Sequence, residues 1–360
     1  IESYAEIIKQ RSNLRRLITT VDQIAQNARE ADSSSSDQII DNAEESILSL
    51  RDDVKRSSGP RGIRELLGPV YSNIQESNES GESLVGVSTG FTEIDEITLG
   101  FQRSDLIIIA GRPSMGKTAL AFNIAENVAR ETDQTVLIFS MEMSAEQVVR
   151  RFISSIANID LQRLMRGQLQ ESDWEGIDKA LSVLSSKNIL LDDTPALSPS
   201  ELRSRARRIK RENKDLAMIV VDYIGLMQVH RKSDNRVAEI SEISRSLKAL
   251  AKELDVPIVA LSQLNRAVES RPNKRPILAD LRDSGAIEQD ADVIAFLYRH
   301  EYYDKNDLEN KGKAEINIAK QRNGPTRATS LAFRDSVAKF ENLAREERYP
   351  PQYYEDNDDD

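Results

Sequence analysis

The chain has 360 residues, 39% hydrophobic and 5% aromatic, with no cysteine and two histidines, His230 and His300. That composition excludes disulfide scaffolding and Cys/His zinc sites and favours a cytoplasmic setting, and no apolar run approaches the roughly 18 residues a membrane span needs. A net charge of −11 excludes a wholesale basic nucleic-acid binder but leaves local basic surface open.

The chain opens on Ile1-Glu2-Ser3, with neither Met nor a signal-peptide layout, and reads as a fragment beginning mid-protein. From Ser3 to Glu30, Ile7, Ile8, Leu14, Leu17, Ile18, Val21, Ile24 and Ala25 recur at helical intervals. A Ser-rich break follows, in which Ser35 and Gln38 can form a capping box, and a second amphipathic helix uses Ile39, Ile40, Ala43, Ile47, Leu48 and Val54. Residues 1–56 are thus an α-helical hairpin, too small to bury its own faces and expected to pack on a partner. Residues 57–84 are a Gly/Pro/Ser-rich linker in which Ile63, Leu66, Leu67, Val70 and Ile74 form an apolar stripe, interrupted at Gly68-Pro69. Such a stripe suits a helix docking on its own domain or on a neighbouring subunit, and the residues alone leave both open. The tail, 346–360, is acidic and expected to be disordered.

In the domain from 85 to 345, short apolar runs recur with helices between them: Leu106–Ala110, Val136–Phe139, Ala217–Val221, Pro257–Leu261, Val293–Leu297 and Ile316–Ala319. Alternating βα units mean an α/β fold, a mostly parallel sheet with helices on both faces. One helix opens at Ser198-Pro199-Ser200-Glu201 with a capping box and Pro at its first position. It carries Arg203, Arg205, Arg207, Arg208, Lys210 and Arg211, which suit either a solvated outer face or a nucleic-acid face.

Chemistry collects behind the first run. Gly111-Arg112-Pro113-Ser114-Met115-Gly116-Lys117-Thr118 reads G-x-x-x-x-G-K-T, a phosphate-binding loop, and strand and helix flank it as the motif requires. The backbone around Gly111, Ser114, Met115, Gly116 and Ala119 would face the phosphates of a nucleoside triphosphate. Lys117 would reach the β/γ-phosphates, and the Thr118 hydroxyl would hold Mg²⁺. In open parallel sheets ligands bind at the carboxyl ends of strands, and polar residues stand at those ends here: Glu142, Asp222 and Gln263. Asp222 fits water-mediated Mg²⁺ binding, Glu142 the polarising of an attacking water, and Gln263 the sensing of a γ-phosphate. A long basic connection between Leu264 and Asp290 and a polar loop at His230–Arg236 contain no aromatic residue, so nucleic acid would be touched there through phosphates. Lys320 and Arg322 alternate on one extended segment before a Gly324-Pro325 turn, which suits a finger entering a neighbour's nucleotide site or a surface hairpin.

Taken together, GRPSMGKT (111–118), FSMEMS (139–144), IVVDYIGLM (219–227), NRVAEISEISRSLKALAKEL (235–254), PIVALSQLNR (257–266), DLRDSGAIEQDADVIAFLYR (280–299) and AKQRNGP (319–325) resemble the hexameric replicative DNA helicases of bacteria, the DnaB family. The resemblance spans essentially the whole chain and implies a RecA-like P-loop core behind the end of an N-terminal domain. It implies Glu142 as catalytic base, Lys320 and Arg322 acting in trans, and Arg282, Asp283 and Gly285 gripping single-stranded DNA. Asp283 stands where the family usually has Glu. It also implies a 5′ to 3′ homo-hexamer whose linker helix docks on the adjacent subunit, with primase and a helicase loader as partners and no membrane. A strand-exchange recombinase shares such a core, and a small-molecule kinase shares the phosphate loop; filaments would mark the first and indifference to DNA the second.

Overall fold

The computed structural model describes residues 2–30, 39, 43, 46, 47, 62–80, 84–229 and 236–343. The chain divides into two compact units, Ile1–Gly81 and Glu82–Asp360.

In the first unit, helix α1 spans Glu2–Glu30. Residues 39, 43, 46 and 47 are also helical. Ile39, Ala43 and Ser46 line one cleft with Thr20, Ile24 and Asn27 of α1, so the chain returns along the face where the apolar period places Ile24. The Ser35/Gln38 capping box and the positions of Ile40, Leu48 and Val54 lie outside the described residues. Helix α2 spans Ile63–Ser80 and runs through Gly68-Pro69, where the sequence pattern predicts an interruption. Proline removes one N–H donor, but the helix continues on both sides of that loss. Ile63, Leu66, Leu67, Val70 and Ile74 are all exposed.

The second unit opens with α3 (Thr92–Thr98) and is built on one nine-stranded sheet. Its strands are β1 (Leu106–Gly111), β2 (Thr135–Ser140), β3 (Ile189–Asp192), β4 (Leu216–Asp222), β5 (Ile258–Gln263), β6 (Val293–Tyr298), β7 (Lys313–Gln321), β8 (Arg327–Arg334) and β9 (Lys339–Asn342), in the order β3-β2-β4-β5-β1-β6-β7-β8-β9. The first six positions in that order are parallel and the last three are joined antiparallel. The helices among them are α4 (Lys117–Glu131), α5 (Ala145–Ala157), α6 (Leu161–Arg166), α7 (Glu171–Ser185), α8 (Pro199–Glu212), α9 (Arg236–Leu254), α10 (Gly285–Asp290) and α11 (His300–Tyr303).

The parallel strands are continuous apolar runs because both faces are covered. Alternation at period two sends Ile107, Ile109, Ile138 and Val220 to one face, against Leu120, Ile124 and Val128 of α4. Ile108, Leu137, Ile219 and Val221 go to the other, against Leu202 of α8 and Leu247 and Leu250 of α9.

Two expectations change. The run at Ile316–Ala319 is not a further parallel strand; it belongs to β7, which pairs antiparallel with β6. The connection before it holds only the four-residue α11, not the long helix that usually carries a parallel crossover across the sheet. The basic helix α8 opens with the predicted capping box, but four of its six cations are held by partners within the unit, while Arg208 and Arg211 stay exposed. Arg203 and Arg207 both pair with Glu253 of α9, Arg205 pairs with Asp192 at 2.7 Å, and Lys210 donates to the carbonyls of Lys214 and Leu216. The long connection after Leu264 folds into two short 3₁₀ turns (Arg266–Ser270 and Leu278–Ser284) and α10, pinned by buried Val268, Leu281 and Ile287.

Candidate active site

Strand β1 ends at Gly111, and α4 begins at Lys117, with five residues between them. The loop between them needs its glycines. Gly116 has φ +101°, and a Cβ there would lie 3.1 Å from Cζ of Phe340; a Cβ on Gly111 would lie 2.9 Å from the carbonyl oxygen of Leu297. Ser114 also adopts a positive φ, +65°, and buried Met115 and Ala119 anchor the turn on the core. The free N–H groups of the first turn of α4 therefore open onto the loop, where an anion is favoured. The Lys117 side chain curls back over it, and its Nζ donates to the carbonyl of Arg112 at 3.1 Å. Burial lowers the Lys117 pKa to about 8, against the opposing pull of Asp222 and Glu142.

Sheet register brings the other strand-end residues here. Gly111 is the partner of Gln263 across β1 and β5, and Ser140 is the partner of Asp222 across β2 and β4. Asp222 is 2% exposed, and its Oδ2 has no hydrogen-bond partner among the described residues. Burial raises its pKa to about 6, although the Thr118 side chain donates to it. A buried hydroxyl–carboxylate pair with one oxygen left over fits Mg²⁺, which binds through one or two protein oxygens and completes its shell with water and phosphate. The turn carrying Glu142 is shaped by Met141 N donating to Asp222 O (2.8 Å) and Ser140 Oγ donating to Met143 O (2.8 Å). Glu142 is exposed there, close enough for its charge to act on both Lys117 and Asp222. Gln263 is exposed at the end of β5.

Lys320 and Arg322 lie elsewhere. They stand at the β7–β8 turn, and both reach the segment just before β6. Lys320 Nζ donates to the carbonyls of Glu288 and Ala291, the latter at 2.8 Å. Arg322 donates from Nη2 to Gln289 O (2.9 Å) and from its backbone to Asp292 O (3.0 Å), and its Nε lies 3.4 Å from Asp292 Oδ1. Asp292 N in turn donates to Leu106 O at the start of β1. The pair therefore marks the amino end of the parallel strands, and the phosphate loop marks the carboxyl end.

The family model described as the DnaB-like helicase C terminal domain matches residues 86–342. The chain is 49% identical over 346 residues to the replicative DNA helicase DnaC of Bacillus subtilis (strain 168), covering 96% of this chain and 75% of that one. It is 49% identical over 355 residues to the replicative DNA helicase DnaB of Geobacillus stearothermophilus, covering 98% and 77%. The chain belongs to the DnaB-like replicative helicases. A solved DnaB-like replicative helicase, described together with its interactions with primase, superposes with a TM-score of 0.81 at 36% identity, over 95% of this chain and 79% of that one. The α/β core is accordingly the RecA-like fold, and the chain is an ATP-dependent DNA helicase. Among the described residues no helix is long and apolar enough to cross a membrane.

For a DnaB-like helicase, three arginines matter that the sequence reading passes over. Arg112, buried inside the phosphate loop, donates from Nη1 to Leu264 O (2.8 Å) and from Nε to Glu269 (2.9 Å), tying the loop to the segment after Gln263. Arg299, at the carboxyl end of β6, donates to Ser114 O at 3.3 Å and lies 4.2 Å over the Phe333 ring. Arg151 of α5 sits within the fields of Asp222 and Glu142, and burial lowers its pKa. A polar residue at a strand end is the signal that would have found Arg299. Arg151 lies on an amphipathic helix and carries no such signal. Gly285 begins α10 and is exposed, and the backbone of Arg282 and Asp283 lies in the turn that precedes it. The side chains of Arg282 and Asp283, and the loop from 230 to 235, lie outside the described residues.

Proposed function

We propose that each ATP is held between two subunits of a homo-hexamer, with the two halves of one site supplied by opposite ends of the same sheet. In this reading one subunit gives the phosphate loop, in which the backbone of Gly111, Ser114, Met115, Gly116 and Ala119 and the ammonium of Lys117 hold the phosphates. Thr118 and, through water, Asp222 hold Mg²⁺, which supplies charge neutralisation on the phosphates. Glu142 orients and deprotonates the attacking water, and Gln263, beside Gly111, senses the γ-phosphate. The neighbouring subunit gives Lys320 and Arg322, which balance the charge that develops on the transferred phosphoryl group.

The observation that carries this is the location of Lys320 and Arg322 across the sheet from Lys117. Six residues of β1 at about 3.3 Å each put them roughly 15–20 Å from the phosphate loop of their own chain. If Lys320 and Arg322 act on a γ-phosphate, it is therefore one held by a second copy. Exposed Ile63, Leu66, Leu67, Val70 and Ile74 of α2 supply the apolar face that would dock such a copy.

The nucleotide cycle drives movement along single-stranded DNA, 5′ to 3′ as in the family. The DNA is gripped at Arg282, Asp283 and Gly285 by contacts to its phosphates. Primase and a helicase loader are the further partners, the first favoured by the primase interactions of the superposed relative. The setting is cytoplasmic. ATPase assays with and without single-stranded DNA test the reading. Several-fold stimulation is expected, and indifference to DNA would leave only a phosphate-loop enzyme of another kind.

A further inference from the structure

Helix α10 lies between two functional elements. Its amino end is Gly285, continuous with the turn that holds Arg282 and Asp283. The carbonyls at and just beyond its carboxyl end hold the two trans cations: Glu288 O and Ala291 O accept from Lys320, Gln289 O accepts from Arg322, and Asp292 O accepts from the Arg322 backbone. Last-turn carbonyls lack intrahelical partners and carry partial negative charge, so cations settle on them. The helix is about 9 Å long at 1.5 Å per residue. Ile287 is fully buried and Ala291 closes the segment in the same core as Leu247 and Leu250 of α9, so α10 is seated as a piece and is not a loose loop. Asp292 completes the cradle. Its carboxylate meets Arg322 Nε, Lys248 Nζ and the Leu106 amide.

We propose that α10 is a strut that couples the DNA grip to the trans cations, and that Asp292 is a positioning residue for Arg322. Movement of the 282–285 turn on DNA shifts the carbonyls at the far end of α10. Hydrogen bonds weaken steeply with distance and angle, so a shift of about an ångström re-aims both cations together. DNA in one subunit thereby sets the rate of hydrolysis in the nucleotide site of its neighbour. The inference rests on the assignment of 282–285 to DNA and of Lys320 and Arg322 to the neighbour's nucleotide.

The test softens the strut while keeping the 282–285 turn and every carbonyl and carboxylate that meets Lys320 or Arg322. Ala286→Gly with Gln289→Gly places two helix-weakening residues at positions that are not fully buried, and Gln289→Ala is the control that loses the side chain but keeps the helix. Full-length hexamers of each are assayed for ATPase with and without single-stranded DNA, for DNA affinity and for binding of an ATP analogue. In the double-glycine chain, stimulation by DNA should fall within the roughly 2- to 30-fold range of coupling changes while both affinities hold, and Gln289→Ala should keep the wild-type stimulation. Should the double-glycine chain fail to assemble, Asp292→Asn gives the second reading: lower kcat in the presence of DNA, unchanged KM for ATP, and partial recovery with Asp292→Glu. Full stimulation in the double-glycine hexamer, or in Asp292→Asn, overturns the coupling and leaves the two-subunit site standing. A wild-type enzyme that DNA does not stimulate overturns the DNA assignment, and the coupling with it.

Discussion

Lys117 and Arg322 of one subunit stand at opposite ends of the same parallel strands. Lys117 opens α4 just beyond the carboxyl end of β1, and Arg322 is hydrogen-bonded to Asp292, which is itself bonded to Leu106 at the amino end of β1. No side-chain rotation bridges the length of a strand. If both residues serve one phosphoryl transfer, the reaction needs two chains. Arg322→Ala should then lower kcat by about 10³–10⁵ while leaving nucleotide affinity at the neighbouring phosphate loop within a fewfold, because its contribution arises as charge develops. Steady-state ATPase with a parallel binding titration measures the split.

The protonation states around the phosphate loop set a pH window for Mg²⁺–nucleotide binding. Asp222 has its pKa raised to about 6 by burial, so it is ionised and able to hold Mg²⁺ above that pH and loses this as pH falls through it. Lys117 has its pKa lowered to about 8 by burial, so it is cationic below that pH and loses its attraction for phosphate as pH rises through it. Affinity for Mg²⁺–ADP should be bell-shaped, with limbs near these two values and about a tenfold loss one unit beyond either. Titration without Mg²⁺ should abolish the acid limb and keep the alkaline one; an acid limb unchanged on chelation would detach Asp222 from the metal.

Arg151 gives a sharper check on the same limb. Its charge favours the ionised form of Asp222, so Arg151→Met should move the acid limb to higher pH. The alkaline limb belongs to Lys117, whose pKa is set by burial and by Asp222, Glu142 and Arg112, and should stay. Calorimetric titration across the pH series distinguishes this from a general loss of structure, which would lower affinity at every pH.

Gly116→Ala should damage the loop by geometry alone. At φ +101° an L-residue is strained by roughly 1–3 kcal/mol, and the added methyl meets the Phe340 ring. Thermal melting should show a lower midpoint, and the stabilisation normally given by bound nucleotide should be largely lost. A variant with wild-type nucleotide affinity would mean the ring yields and the φ is not required.

Much of the site was legible because its chemistry is local. The spacing of Gly111, Gly116, Lys117 and Thr118 specifies a turn, and an apolar strand ending in Asp222 specifies a carboxylate at the ligand-binding edge. Register then does what spacing cannot, pairing Gly111 with Gln263 and Ser140 with Asp222. What escaped the sequence depends on tertiary partners. β3 is a short, half-buried edge strand, and β8 and β9 carry too few apolar residues to stand out. The cations of α8 read as a surface because Glu253 and Asp192, which neutralise them, lie far along the chain. Arg112 likewise gains meaning only when Leu264 O arrives beside it.

The two-subunit site is tested most directly by mixing Lys117→Ala chains, which keep Arg322, with Arg322→Ala chains, which keep the phosphate loop. Each alone should hydrolyse ATP poorly. In an equal mixture that exchanges subunits, about a quarter of interfaces join an intact loop to an intact arginine, and turnover stimulated by single-stranded DNA should return at those interfaces. No recovery at any mixing ratio, with exchange confirmed by labelled subunits, would contradict the account.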